Sequence, residues 1–92
     1  MSTATFSEPL ESAIIEVWSS DPTMPNRKLR GIVQSREKKT LTVTAAEEIA
    51  TSAEIRVQTK DLLTLGQVQR CTSGTDATWT VHIGITRSML VV

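Results

Sequence analysis

The stretch "LLTLGQVQRCTSGTDATWTVHIGI", residues 62–85, decides the fold class. It holds two runs of alternating apolar and polar residues on either side of the turn-forming residues 73–76. Because successive side chains of a strand point to opposite faces, this alternation predicts strands at 62–71 and 78–86 that pair as a hairpin. The residues predicted to form the core of this hairpin are Leu63, Leu65, Val68, Trp79, Val81, Ile83 and Ile85.

Shorter runs of the same kind predict the rest of the sheet. Strands are expected at 13–19, 29–35, 40–44 and 54–59. Threonine, valine and isoleucine are abundant and helical periodicity is almost absent, so we predict an all-β domain. An antiparallel β-barrel of six to seven strands is favoured at this length, because closure removes exposed strand edges.

The segments between and around these strands complete the predicted organisation. "AAEEIATSA", residues 45–53, is expected to form a short irregular or helical connection. "RSMLVV", residues 87–92, is expected to add a last strand or to dock, since its apolar residues Met89 and Leu90 would otherwise favour a homo-oligomer. Residues 1–12 are predicted to be a flexible N-terminal arm, and residues 13–92 a single barrel domain.

Composition excludes several classes of protein. Ten basic and ten acidic side chains give a formal net charge of zero, which argues against binding to nucleic acid or membrane by bulk electrostatic attraction. No apolar run approaches the roughly 20 residues of a membrane-spanning helix, so no membrane insertion is expected. The chain lacks the pattern of a secretory signal and has one cysteine, so we predict a cytoplasmic protein.

Residue types that carry catalysis are sparse. His82 and Cys71 are the only histidine and cysteine, so no Cys/His cluster of zinc spacing can form. We predict that His82 lies on the solvent side of a strand and that Cys71 is a half-buried structural thiol. Glycine-rich phosphate loops and nucleophile motifs are absent from the sequence. The protein is therefore predicted not to be an enzyme and to need no metal or other cofactor.

Trp18 and the tail are the predicted partner-binding residues. Trp18 falls on the strand face opposite Ile15 and Val17, next to the proline-containing loop "SDPTMPNRK". The arm or the tail could cover this side chain. Alternatively, Trp18 is the anchor of a protein interface, together with Met89 and Leu90, because such interfaces centre on aromatic residues.

The order of the strands is similar to that of a known family. "LRGIVQS" and "LTV", then "AEIRVQT", "LGQVQRC" and "WTVHIGI" resemble the PilZ domain over roughly residues 13–86. PilZ domains are small bacterial β-barrels best known as receptors for cyclic di-GMP. The resemblance is strongest at "VHIGI", residues 81–85, and it implies the barrel fold and a role in bacterial signalling.

The ligand motifs of the PilZ family are not reproduced. An R-x-x-x-R motif should precede the first strand, but no arginine occurs before Arg27. A [DN]-x-S-x-x-G motif should follow the second strand, where only Ser35 matches, with Val33 and Lys38 at the other two positions. We therefore predict a PilZ-like signalling or adaptor domain that binds an unknown bacterial protein, rather than a standard cyclic di-GMP receptor.

Two alternatives use the basic band of residues 27–39, which holds six lysines and arginines and one glutamate. The first is a receptor for cyclic di-GMP or another cyclic dinucleotide with a non-standard site. Its candidate ligand-binding residues are Arg27, Arg30, Ser35, Arg36 and Lys38. The second is a small nucleic-acid-binding barrel that uses the same cations, which is disfavoured because the chain offers few aromatic residues for base stacking.

Overall fold

The computed structural model describes residues 11–19, 21–74 and 76–91, and these form six β-strands without a helix. The strands are β1 (Glu11–Val17), β2 (Arg27–Arg36), β3 (Thr40–Ala45), β4 (Glu54–Gln58), β5 (Leu62–Ser73) and β6 (Trp79–Leu90). They close into a barrel in the order β1-β2-β3-β6-β5-β4, and every neighbouring pair is antiparallel. The predicted all-β barrel is confirmed, and the connection after β3 is irregular rather than helical.

The hairpin of β5 and β6 is the longest element of the barrel. The two strands have 12 residues each and pair from Leu62 opposite Leu90 to Ser73 opposite Trp79. β5 ends at Ser73, two residues beyond its predicted end. The tail continues β6 as far as Leu90, four residues beyond its predicted end. Residues 1–10 of the predicted N-terminal arm lie outside the described residues, and its last two residues, Glu11 and Ser12, belong to β1 instead.

The barrel interior is filled by aliphatic side chains from alternate positions of all six strands and from the connection after β3. The buried core residues are Ala13, Ile15, Val17, Val33, Leu41, Val43, Ala45, Ile49, Ile55, Val57, Val68, Val81 and Ile83. Burying this aliphatic surface is the main driving force for folding. Val68, Val81 and Ile83 were predicted correctly, and Ile85 packs against the core as a partly buried residue.

Three predicted core residues are corrected by the structure. Leu63 and Leu65 are only half-buried, because the inward positions of β5 belong to Thr64 and Gly66. The apolar pattern of β5 did not reveal that a threonine and a glycine face the interior, and the register with β6 shifts between Leu65 and Gly66 and again between Val68 and Arg70. Trp79 is also half-buried, since it begins β6 opposite Ser73 at the end of the hairpin.

Ile49 closes one end of the barrel from the irregular connection between β3 and β4. Its side chain is fully buried although its immediate neighbours are exposed. The chain around it is held by backbone hydrogen bonds: Ala53 N–H donates to Ala50, Ser52 N–H to Val68, and Val68 N–H to Ala53. The connection therefore acts as a plug that is tied to β5.

Candidate protein-interaction site

The loop between β1 and β2 is organised by side-chain hydrogen bonds that connect its two ends. The Ser19 N–H donates to Asn26 Oδ1 (2.8 Å), and Asn26 Nδ2 donates to Glu16 Oε2 (3.2 Å). Glu16 also pairs with Arg56 of β4 at 3.8 Å. The loop predicted from its prolines is thus clamped to the barrel wall, which fixes the position of Trp18 just before it.

Trp18 and Met24 meet in one groove at this end of the barrel. The groove has a volume of about 650 Å³ and lies between the loop and the turn at residues 50–54. The Trp18 N–H donates to the Glu54 carbonyl at 2.9 Å, which anchors the backbone of Trp18 against β4. Its side chain nevertheless stays 42% exposed, and that of Met24 is 60% exposed. Two large, solvent-exposed apolar side chains therefore line the same groove.

Met24 is a groove residue that the sequence analysis missed. The signal was available, because Met24 is the only large apolar residue between Trp18 and Leu29, in a loop otherwise made of polar residues and prolines. An exposed methionine is adaptable, since its unbranched side chain can repack against partners of different shape. The groove thus combines a rigid aromatic side chain with a flexible apolar one.

Asp21 holds the tip of the loop. Its Oδ1 accepts hydrogen bonds from Thr23 N–H (3.0 Å) and Thr23 Oγ1–H (2.8 Å), and its carbonyl accepts one from Met24 N–H (3.0 Å). The bond from the Thr23 backbone, followed by the bond from its hydroxyl, lowers the pKa of Asp21. This turn sets where Met24 emerges from the loop.

The pKa of Asp21 gives a local test of this turn. Because the pKa of Asp21 is lowered in the folded state, its ionised carboxylate stabilises the turn at pH values above the ordinary aspartate pKa. That stabilisation is lost as the pH falls through the pKa of the folded state. In a carboxyl-carbon NMR titration, Asp21 is expected to titrate below the range of exposed aspartates. Thr23→Val, which removes the hydroxyl donor, is expected to raise that midpoint. An unchanged midpoint in the variant would show that the hydroxyl contact does not form in solution.

The basic band does not converge on one site in the described part of the chain. Arg27 pairs with Glu47 (3.3 Å) at one end of β2, whereas the half-buried Arg36, at the other end, donates to Thr64 Oγ1 (3.0 Å). Eight residues lie between these two arginines on the strand, which places them about 30 Å apart. Arg30 faces outward between them, and Ser35 and Lys38 are exposed near the Arg36 end. The five predicted ligand-binding residues are therefore spread along a whole strand and the turn after it.

This spread leads to a prediction about cyclic di-GMP. A compact dinucleotide cannot contact cations at both ends of β2, so the melting temperature is expected to stay unchanged when cyclic di-GMP is added. A ligand present at 100 times its dissociation constant would stabilise the protein by about 2.7 kcal/mol, which a thermal melt resolves readily. A concentration-dependent rise in melting temperature would contradict this prediction.

The end of β6 is a second exposed apolar feature. Residues 87–90 pair with β5 on one side, and no described strand pairs with them on the other. Leu90 is 77% exposed, and Met89 and Val91 are also exposed. A free edge of this kind can accept another strand. Met89 and Leu90 are thus exposed, as a partner-binding role requires. They do not line the groove that contains Trp18.

The single histidine and the single cysteine of the sequence lie on β6 and β5. His82 is half-buried on the outer side of β6, between the buried residues Val81 and Ile83, and Cys71 is a half-buried free thiol packed against the core. Within residues 11–19, 21–74 and 76–91, no three His, Cys, Asp or Glu side chains are grouped as metal ligands would be. The same residues include no helix long and apolar enough to cross a membrane.

Comparison with known proteins assigns no family to this chain. Neither protein-family models nor curated proteins nor solved structures gave a match. The resemblance to the PilZ domain therefore remains a prediction from the sequence.

Proposed function

We propose that this protein is a small adaptor domain that binds a partner protein through the Trp18 groove. The observation that carries the proposal is that one groove, whose two walls are fixed by hydrogen bonds, is lined by two exposed apolar side chains, Trp18 and Met24. Tryptophan dominates the binding energy of many protein interfaces when it is buried at their centre. A groove that is already formed also reduces the entropy lost on binding.

The surroundings of the groove indicate what kind of partner surface it would accept. Arg27 and Glu54 lie at the groove, so its margin carries both signs of charge and has no strong preference for an acidic or a basic partner. Specificity would come from an apolar side chain of the partner that packs between Trp18 and Met24. The proposal includes a role in bacterial signalling, which the resemblance to the PilZ domain suggests. The cytoplasmic location remains a prediction.

Site-specific photo-crosslinking tests the proposal in cells that express the protein. A benzophenone amino acid at position 24 is expected to give one dominant protein adduct. The same group at Gln34, which is also exposed but lies on β2 outside the groove, is the matched control and is expected to give little or none of that adduct. Trp18→Ser introduced with the crosslinker at position 24 should remove the adduct. Equal adducts from both positions, or none from position 24, would contradict the proposal.

A further inference from the structure

A second groove crosses the outer wall of the barrel over β4, β1, β2 and β3. Its volume is about 710 Å³, and it shares no residue with the Trp18 groove. Two isoleucines on its surface, Ile14 of β1 and Ile32 of β2, are 45% and 41% exposed. Because these side chains point away from the core, they add little to the packing of the barrel and leave an apolar surface unpartnered.

Strand pairing explains how the two isoleucines come together. Ile14 lies between Gln58 and Arg30 in one row across the strands. Ile32 lies between Ser12 and Thr44 in the next outward row. The residues between these rows, Ala13, Gly31 and Ala45, face the interior and oppose one another, so only backbone separates the two rows on the outside. The two isoleucines are therefore diagonal neighbours on the outer face of β1 and β2, and we call them the isoleucine strip.

Two cations border this strip. Arg30 lies on β2, and Lys60 follows the end of β4, with β1 and its isoleucine between them. No carboxylate lines the groove, and neither cation has an ion pair among the described residues, whereas Arg27 and Arg56 do. Arg30 and Lys60 are two strand spacings apart, about 10 Å, and Lys60 lies two residues beyond the row of Arg30, so their backbones are separated by about 12 Å. The groove thus has an apolar centre between two positive margins.

We propose that this groove binds an extended acidic segment of a partner protein with the pattern acidic-x-apolar-x-acidic. Alternate residues of an extended chain face the same side, so the two carboxylates would lie about 13 Å apart, within reach of the long Arg30 and Lys60 side chains. The apolar residue between them would cover the isoleucine strip. A small molecule fits less well, because one open wall cannot bury most of its surface as ligand pockets do.

Blocked pentapeptides provide the test. Glu-Ser-Leu-Ser-Glu is the probe, with Lys-Ser-Leu-Ser-Lys and Glu-Ser-Ser-Ser-Glu as controls for charge and for the apolar residue. In NMR titrations of the isotope-labelled protein, only the first is expected to give saturable shifts, centred on Ile14, Arg30 and Ile32. The double variant R30E/K60E is expected to bind this peptide at least about tenfold more weakly and to prefer the lysine peptide, since surface charge pairs set specificity.

Three results would overturn the proposal. These are the absence of saturable shifts at peptide concentrations on the order of 10 mM, equal shifts with the lysine peptide, and binding that R30E/K60E leaves unchanged. Trp18→Ser is the control for independence, because Trp18 is absent from this groove and the variant should bind the peptide normally. A negative result with the peptides would therefore leave the role proposed for Trp18 unaffected. Likewise, a negative result for Trp18 would leave the peptide-binding proposal unaffected.

Discussion

Gly66→Ala is expected to destabilise the barrel by about 3 kcal/mol or more and to lower the melting temperature by more than about 10 °C. Gly66 is buried and faces inward on β5, next to an irregularity in its pairing with β6. A Cβ at this position would collide with the Gly84 carbonyl oxygen and lie 2.8 Å from Ile83 Cγ2. Backbone and core atoms cannot move aside without opening the hairpin, so the cost exceeds that of ordinary overpacking.

Gly84→Ala is the matched control for this substitution. Gly84 lies on the neighbouring strand, and a Cβ there would come within 2.5 Å of Gln69 Nε2. That atom is the end of a flexible, exposed side chain that can turn into solvent, so the expected cost is below about 1 kcal/mol. Thermal or urea unfolding of both variants checks the pair. Equal free energies of unfolding for the two variants would mean that the Gly84 carbonyl oxygen does not lie so close to Gly66.

Ile49→Ala is expected to cost about 3 kcal/mol, within the range for removing most of a fully buried isoleucine side chain. Ile49 is 0% exposed although it belongs to no strand, so the substitution leaves a cavity at the end of the barrel. Ile32→Ala is the control, because that isoleucine is 41% exposed, and its loss is expected to cost less than about 1 kcal/mol. Urea unfolding measures both, and a small loss for Ile49→Ala would show that the connection does not plug the barrel.

The strand content of the fold was predictable because alternation is a local signal. All six strands and the 62–85 hairpin follow from it, whereas the inward position of Thr64 depends on pairing that only the folded barrel defines. The buried plug at Ile49 was missed for the same reason, since one isoleucine among polar and small residues has no periodicity to reveal it. Local pattern therefore gives the elements, and tertiary pairing decides which side chains fill the interior.

The candidate sites were predictable only in part. Trp18 was identified because it falls on the strand face opposite Ile15 and Val17, but Met24 joins the groove through a loop whose course depends on the contacts of Asp21 and Asn26. The basic band looked like one site because its residues are close in sequence. An extended strand rises about 3.3 Å per residue, so residues a few positions apart in sequence can be far apart in space. Arg27 and Arg36 therefore lie at opposite ends of β2.

The central claim is that Trp18 anchors a partner protein, and an affinity measurement with the crosslinked partner, once purified, tests it most directly. Calorimetric titration of Trp18→Ser is expected to show at least about 30-fold weaker binding, equivalent to about 2 kcal/mol, with little change in melting temperature because the side chain is 42% exposed. Gln34→Ala, at an exposed position of β2 outside the groove, is the control and should bind as the unmodified protein does. Unchanged affinity of the folded Trp18→Ser variant would contradict the claim.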